Sequence, residues 1–105
     1  MQTKNKKAPT VAERAYIGLI KAMDCGCCGQ TGPSEAHEIE QGQWFTSIPL
    51  CADCHRGAHN GIHGQKRIWA VLRKTEMTVL NDTVEKVVDL LAERRHVAAL
   101  GCIGN

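Results

Sequence analysis

Aromatic side chains are scarce in this sequence, with one Tyr, one Phe and two Trp. The large rings that supply much of a small domain's apolar burial are therefore missing. At 105 residues the chain has the length of one domain, and a core this poor in rings gains materially from a metal staple. Long hydrophobic runs are absent too: none approaches the ~18 to 20 residues that a membrane-spanning helix requires. The opening MQTKNKKAPT lacks the apolar stretch of a secretory signal, which points to an intracellular, cytoplasmic protein whose thiols stay reduced. Charge of one sign is also lacking. A net charge of +2 with neutral histidines is too small to mark a nucleic-acid binder by itself. No internal repeat or low-complexity stretch occurs.

What remains is a globular composition, 43% hydrophobic and 23% charged, with two basic groupings. Lys4, Lys6 and Lys7 lie in residues 1–9, read as a flexible basic arm ending at Pro9. Lys66, Arg67, Arg73 and Lys74 cluster further on, as a solvated surface or as phosphate contacts. Residues 10–105 are read as a single domain. Thr10 with Glu13 forms a capping box. Val11, Ala12, Ala15, Tyr16, Leu19, Ile20 and Met23 then recur at helical spacing as a core-facing stripe. Between Asp24 and Gly64, Gly26, Gly29, Gly32 and Gly42 with Pro33 and Pro49 exclude a long helix. Two short strands fit there, Ala36–Glu40 and Trp44–Ile48. Beyond Gly64 the pattern predicts two helices within residues 65–98. One runs over Gln65–Lys74. The other starts at Glu76 or Asn81 and reaches Val97, capped by Asn81, Asp82 or Thr83, with Gly101 beyond its end. Its stripe of Leu80, Val84, Val87, Val88 and Leu91 is expected to pack over the first helix, favouring a monomer over a homodimer.

The middle stretch is too poor in apolar residues to fix itself, and its cysteines supply an alternative. Cys25-x2-Cys28 and Cys51-x2-Cys54 are two C-x-x-C turns. Each can aim two thiolates at one ion, and together they complete a tetrahedral structural zinc site. Redox thiols are the competing reading, but a thioredoxin-like pair would open a helix within a βαβ pattern, which is absent. Cys27 adjoins the first pair and is the substitute for Cys25 in coordination. Cys102 reads as a spare thiol in the tail.

His37, His55, His59 and His63 all fall between the first knuckle and Gly64, and only His96, read as a surface residue, lies elsewhere. Imidazole suits first-row divalent ions. This density around a zinc knuckle predicts a second, catalytic metal site holding Mg2+, Mn2+ or another Zn2+.

Cys25-x2-Cys28, Glu35-Ala36-His37-Glu38-Ile39, Ile48-Pro49-Leu50-Cys51-x2-Cys54-His55 and Ile62-His63 together resemble the HNH endonucleases. The nearest likeness is to the phage recombination-enhancement nucleases and related prophage proteins. The motif core spans residues 25–63. The resemblance implies an α+β fold: a small zinc-bound ββα-metal core, flanked by an N-terminal helix and two C-terminal helices. It also implies metal-dependent hydrolysis of DNA phosphodiester bonds. His37 would then be the first-strand ligand of the catalytic ion, His55 and His63 further ligands, and His59 a substitute or an alternative base. Arg56, Lys66 and Arg67 would contact phosphates. DNA is the implied partner, with a recombinase or other phage protein as a further one. Two positions depart from the family pattern. Glu38 stands where a histidine base is usual, and a carboxylate with an ordinary pKa of ~4.3 is a weaker base near neutrality. Trp44 stands at the usual asparagine. The alternative function is a catalytically inactive zinc module that binds nucleic acid or a recombination partner.

Overall fold

Thr10 starts the first helix as its spacing predicts. Thr10 Oγ1 accepts from the Glu13 amide at 3.1 Å, and Glu13 Oε1 accepts from the Thr10 amide at 2.7 Å. These reciprocal bonds satisfy two amides that a helix end leaves unpaired. In the computed structural model, which describes residues 8–104 with side chains through His96, α1 is Val11–Lys21. Of its predicted stripe, Ile20 is fully buried, Tyr16, Leu19 and Met23 are half-buried, and Val11 is exposed. Tyr16 meets Phe45 with ring centroids 5.0 Å apart. The basic arm up to Lys7 and the side chain of Cys102 lie outside the described residues.

Two strands follow, β1 (Glu35–Glu38) and β2 (Ser47–Leu50), paired antiparallel with His37 opposite Ile48. The second strand starts later than expected. Trp44–Thr46 is a 3-10 turn, because side chains bind its backbone locally: Thr46 Oγ1 donates to Gln43 O at 2.7 Å and Ser47 Oγ to Trp44 O at 2.6 Å. Pro49 is tolerated inside β2 because both strands of a two-stranded sheet are edges. A short helix α2, Ala52–Arg56, follows directly.

The helix after Gly64 is shorter than predicted: α3 covers Arg67–Val71 only. Lys66 at φ 57° and Arg73 at φ 55° hold left-handed backbone at its two ends. After Leu72 the chain closes a Schellman motif. The Arg73 amide bonds to Ala70 O at 3.1 Å and the Lys74 amide to Trp69 O at 2.9 Å, with Arg73 where glycine is usual.

The last helix, α4, runs Glu76–Gly104. Thr75 is its cap, with Oγ1 accepting from the Thr78 amide at 3.1 Å, so neither Asn81, Asp82 nor Thr83 caps it and Gly101 lies within it. The orientation also differs from expectation. Val79, Thr83 and Val87 are the buried face, while Val84, Val88 and Leu91 are 43%, 56% and 51% exposed. Val79 belongs to the cluster around β2. Of the predicted stripe, Val87 alone is buried, and neighbouring Leu90 borders the groove beside Ala15 and Leu19 of α1 and Met23 just after it.

The core itself is unusual in kind. Its buried cluster is Cys25, Cys27, Ile48, Leu50, Cys51, Cys54, Trp69 and Val79. Half of those residues are cysteines, so the centre of the domain is sulfur where a ring-rich protein would place aromatics.

Candidate metal centres

The two knuckles repeat one local geometry. Cys25 Sγ accepts from the Cys28 amide and Cys51 Sγ from the Cys54 amide, each at 3.4 Å. Such N–H bonds to sulfur favour the thiolate. The Gly26 amide donates to Pro49 O at 2.8 Å and ties the first knuckle to the strand that leads into the second. As a result Cys25, Cys28, Cys51 and Cys54 bring their sulfurs within 4.8 Å of one another. Cys28 Sγ and Cys51 Sγ lie 3.8 Å apart, which matches the ~3.8 Å edge of a sulfur tetrahedron with ~2.3 Å bonds to zinc.

Electrostatics agree with a cation between them. Burial pushes the Cys25 thiol up, but backbone hydrogen bonds at Cys28, Cys51 and Cys27 outweigh it and bring it down to about 7. Burial, then the neighbouring sulfurs of Cys51 and Cys28, push Cys54 strongly up. Cys51 is raised mainly by burial. Thiols this close oppose one another's ionisation, and a bound dication removes that opposition. Four soft donors in this arrangement fit a structural zinc.

The second group is made of imidazoles. His37 rises from β1, His55 from α2, and His63 from the loop that follows. Their ring centroids are 5.0, 4.9 and 5.0 Å apart, an almost equilateral triangle. One nitrogen from each lies within 4.8 Å of the others. His37 is buried, His55 half-buried and His63 exposed. The loop returns by backbone pairing, with the Ile62 amide on Cys54 O at 2.8 Å and the His63 amide on His55 O at 3.3 Å. The second knuckle and the loop after it thus hold His63 beside His55.

Carboxylates hold two of these rings. His55 Nδ1 lies 2.8 Å from Glu35 Oε1. Arg56 grips the same carboxylate with Nε on Oε1 at 2.9 Å and an Nη on Oε2 at 2.6 Å. The Arg56 bonds, then His55, hold the Glu35 carboxyl down at about 2. An ionised carboxylate only accepts, so His55 carries a proton on Nδ1 and Nε2 is left as its possible donor to an ion. His37 Nε2 lies 2.6 Å from Glu76 Oε2, at the start of α4. A cleft of about 440 Å³ opens over the rings, bordered by Glu38, Gln41, Lys66 and Glu76.

The remaining predicted residues divide. Glu38 borders the cleft, its Oε1 accepting from the Gly42 amide at 2.8 Å. Lys66 is also at the cleft. His59 is exposed and outside the imidazole group. Arg56 is engaged by Glu35, and Arg67 Nε donates to Gln65 Oε1 at 2.7 Å. Cys27 is buried beside the thiolate group but not within it, and burial pushes its thiol up to about 11. Asn60 braces the loop after α2, its Nδ2 on Asp53 Oδ2 at 2.9 Å and its Oδ1 accepting from the Ile68 amide at 3.1 Å. Sequence reasoning missed Glu35 and Glu76 as partners of the histidines. Glu35 stood inside the quoted motif beside His37, and that adjacency was the available signal; Glu76 had none. Comparison with known proteins returns no matching family model, no matching curated protein and no matching solved structure.

Proposed function

We propose that this chain is a metal-dependent DNA endonuclease or nickase of the HNH type, of phage or prophage recombination, hydrolysing phosphodiester bonds. The observation that carries this reading is the convergence of His37, His55 and His63 within 4.8 Å beneath an open cleft. The chain order supports it: His37 on β1, the antiparallel return through β2, then His55 on α2. Strand, strand, helix is the order that the HNH resemblance implies.

His37, His55 and His63 would hold a divalent ion, which when bound would neutralise charge on the phosphate and on the departing 3′-oxygen. Glu38, beside His37 at the cleft, takes a proton from the attacking water as its oxygen bonds to phosphorus. The P–O3′ bond breaks, and the 3′-oxygen gains its proton from solvent. Lys66 sets its ammonium toward the phosphate at the cleft mouth. A zinc held by Cys25, Cys28, Cys51 and Cys54 would keep the imidazoles in register. DNA is the substrate, and a recombinase or another phage protein is the partner this reading assigns.

The test is nicking of supercoiled plasmid with Mg2+ or Mn2+, using the intact protein beside His37→Ala and His55→Ala. Nicking that disappears in both variants, and falls by about 100-fold or more in Glu38→Gln, is the expected result. The second reading, a non-catalytic zinc module that binds nucleic acid, is favoured by the glutamate at the position of the usual base. DNA retention that weakens with salt, without nicking, would establish it instead.

A further inference from the structure

Two of the three imidazoles in the cleft have a carboxylate on one ring nitrogen, and the two carboxylates come from unrelated places. Glu35 is local, two positions before His37 on the same strand. Glu76 lies 39 residues from His37 and opens a different element, α4. Nothing in the local fold of β1 requires it there.

We infer that Glu76 is a positioning residue for the proposed ion site, fixing the His37 ring and its tautomer from the first turn of α4. The inference rests on the three-histidine reading above. The bond from His37 Nε2 to Glu76 Oε2 is 2.6 Å long, and the side chains are 8% and 34% exposed, so solvent competes weakly at the histidine end. A carboxylate accepts, which places the His37 proton on Nε2 and leaves the Nδ1 lone pair as the donor to an ion. His55 is set the other way, with Nδ1 protonated by its bond to Glu35. The two carboxylates thus leave opposite nitrogens, Nδ1 of His37 and Nε2 of His55, as the donors. Glu76 is not itself in the group whose ligand atoms lie within 4.8 Å of one another, so its part is to orient the ring. Outer carboxylates of this kind change metal affinity by about 10- to 100-fold when removed.

The test uses full-length protein with its structural zinc in place. Co2+ is titrated against a competing chelator into the intact protein, Glu76→Ala, Glu76→Gln and Glu76→Asp, with helicity and retained zinc measured alongside. The expected result is one zinc per chain and unchanged helicity in all four, with Co2+ affinity about 10-fold or more weaker in Glu76→Ala. Glu76→Gln should fall between, and Glu76→Asp should recover part of the loss. Long-range 1H–15N spectra of the intact protein should show His37 protonated on Nε2, and Glu76→Ala should lose that preference. Co2+ affinity within about 3-fold of the intact protein in Glu76→Ala, or an Nδ1-protonated His37 in the intact protein, overturns the inference. An intact protein that binds Co2+ in this way yet nicks no plasmid would sink the nuclease reading and leave Glu76's role standing. If the intact protein binds no Co2+ beyond its zinc, both fall.

Discussion

Lys74 reaches back over the first knuckle and donates from Nζ to the carbonyl oxygens of Cys27, at 2.9 Å, and Gly26, at 3.0 Å. A positive charge is thereby fixed beside the thiolates, on the backbone that carries them. The basic residues after the last histidine are therefore not one surface. Lys66 faces the cleft, while Lys74 serves the fold. Charge-assisted bonds of this type contribute about 1.5 to 3 kcal/mol. Lys74→Met should lower stability by about 1.5 kcal/mol in urea unfolding, with the midpoint moving and the slope unchanged. It should leave the salt dependence of DNA retention unaltered. A reduced salt slope with normal stability would return Lys74 to the phosphate-contacting set.

The sulfur core predicts that metal and fold are one equilibrium. Apparent binding energies of structural zinc reach about 10 to 16 kcal/mol, more than the whole stability of a typical small domain. Chelation of the zinc should abolish cooperative thermal unfolding, and Cys51→Ser should yield protein with no stoichiometric zinc. Cys27 makes the discriminating comparison. Cys25→Ala should lose the metal, whereas Cys27→Ala should keep one zinc per chain and pay only for the small cavity. Zinc analysis after purification decides it, and equal loss in both variants would mean Cys27 is a ligand.

How much of this was legible depended on the distance over which each signal acts. The Thr10 and Glu13 box is written within four consecutive positions, and both predicted bonds are present. The knuckles are legible for the same reason, since C-x-x-C spacing alone turns two sulfurs inward. The buried edge of α4 was not legible. Apolar residues occur on adjacent edges of that helix, and the small Thr83, 1% exposed, is buried where Val84 was expected to be. Periodicity gives a helix but not the rotation its neighbours will impose. The carboxylate that meets Arg56 was not legible either, because the arginine's position gives a charge but not its partner. Only the pairing of β1 with the elements after β2 brings Glu35 beside it. Glu76 is the extreme case, a contact between distant residues with no local signature.

The end of α3 contains a conformation that its residue resists. Arg73 occupies the left-handed position of the Schellman motif at φ 55°, where an L side chain costs about 1 kcal/mol relative to glycine. Its side chain is exposed. Arg73→Gly should therefore raise stability by about 0.5 to 1 kcal/mol, the strain relieved outweighing the added freedom of the unfolded chain. Thermal unfolding at neutral pH measures it. A lowered melting temperature would show that the Arg73 side chain contributes more than its backbone strain costs.

Gly26 tests the packing of the first knuckle against α4. A Cβ at this position would lie 2.5 Å from Val79 Cγ1 and 3.4 Å from Pro49 O. Val79 is completely buried, so its methyl has nowhere to retreat without moving the helix. Gly26→Ala should destabilise by about 1 to 3 kcal/mol, as overpacking does. The double variant Gly26→Ala with Val79→Ala should recover part of that loss, measured by denaturant unfolding of all four proteins in the cycle.

The Glu35 bonds to Arg56 and His55 give a pH dependence whose sign is fixed. The folded carboxyl is held at about 2, below its ordinary value of 4.5. In the unfolded chain the group takes up its proton near 4.5. Its stabilisation is thus fully present above that pH and is lost as the pH falls toward 2. Glu35→Gln should lower the melting temperature by the same amount at any pH above 4.5, and the gap should close below it. Because the Glu35 side chain is 35% exposed and Arg56 64%, water screens the pair and the difference should be about 1 kcal/mol. Both proteins should also lose stability together on acidification, because protons compete with metal for its ligands. That shared loss should move with added zinc, whereas the difference between the two proteins should not. A gap that widened on acidification would mean Glu35 acts chiefly through something other than its ionised form.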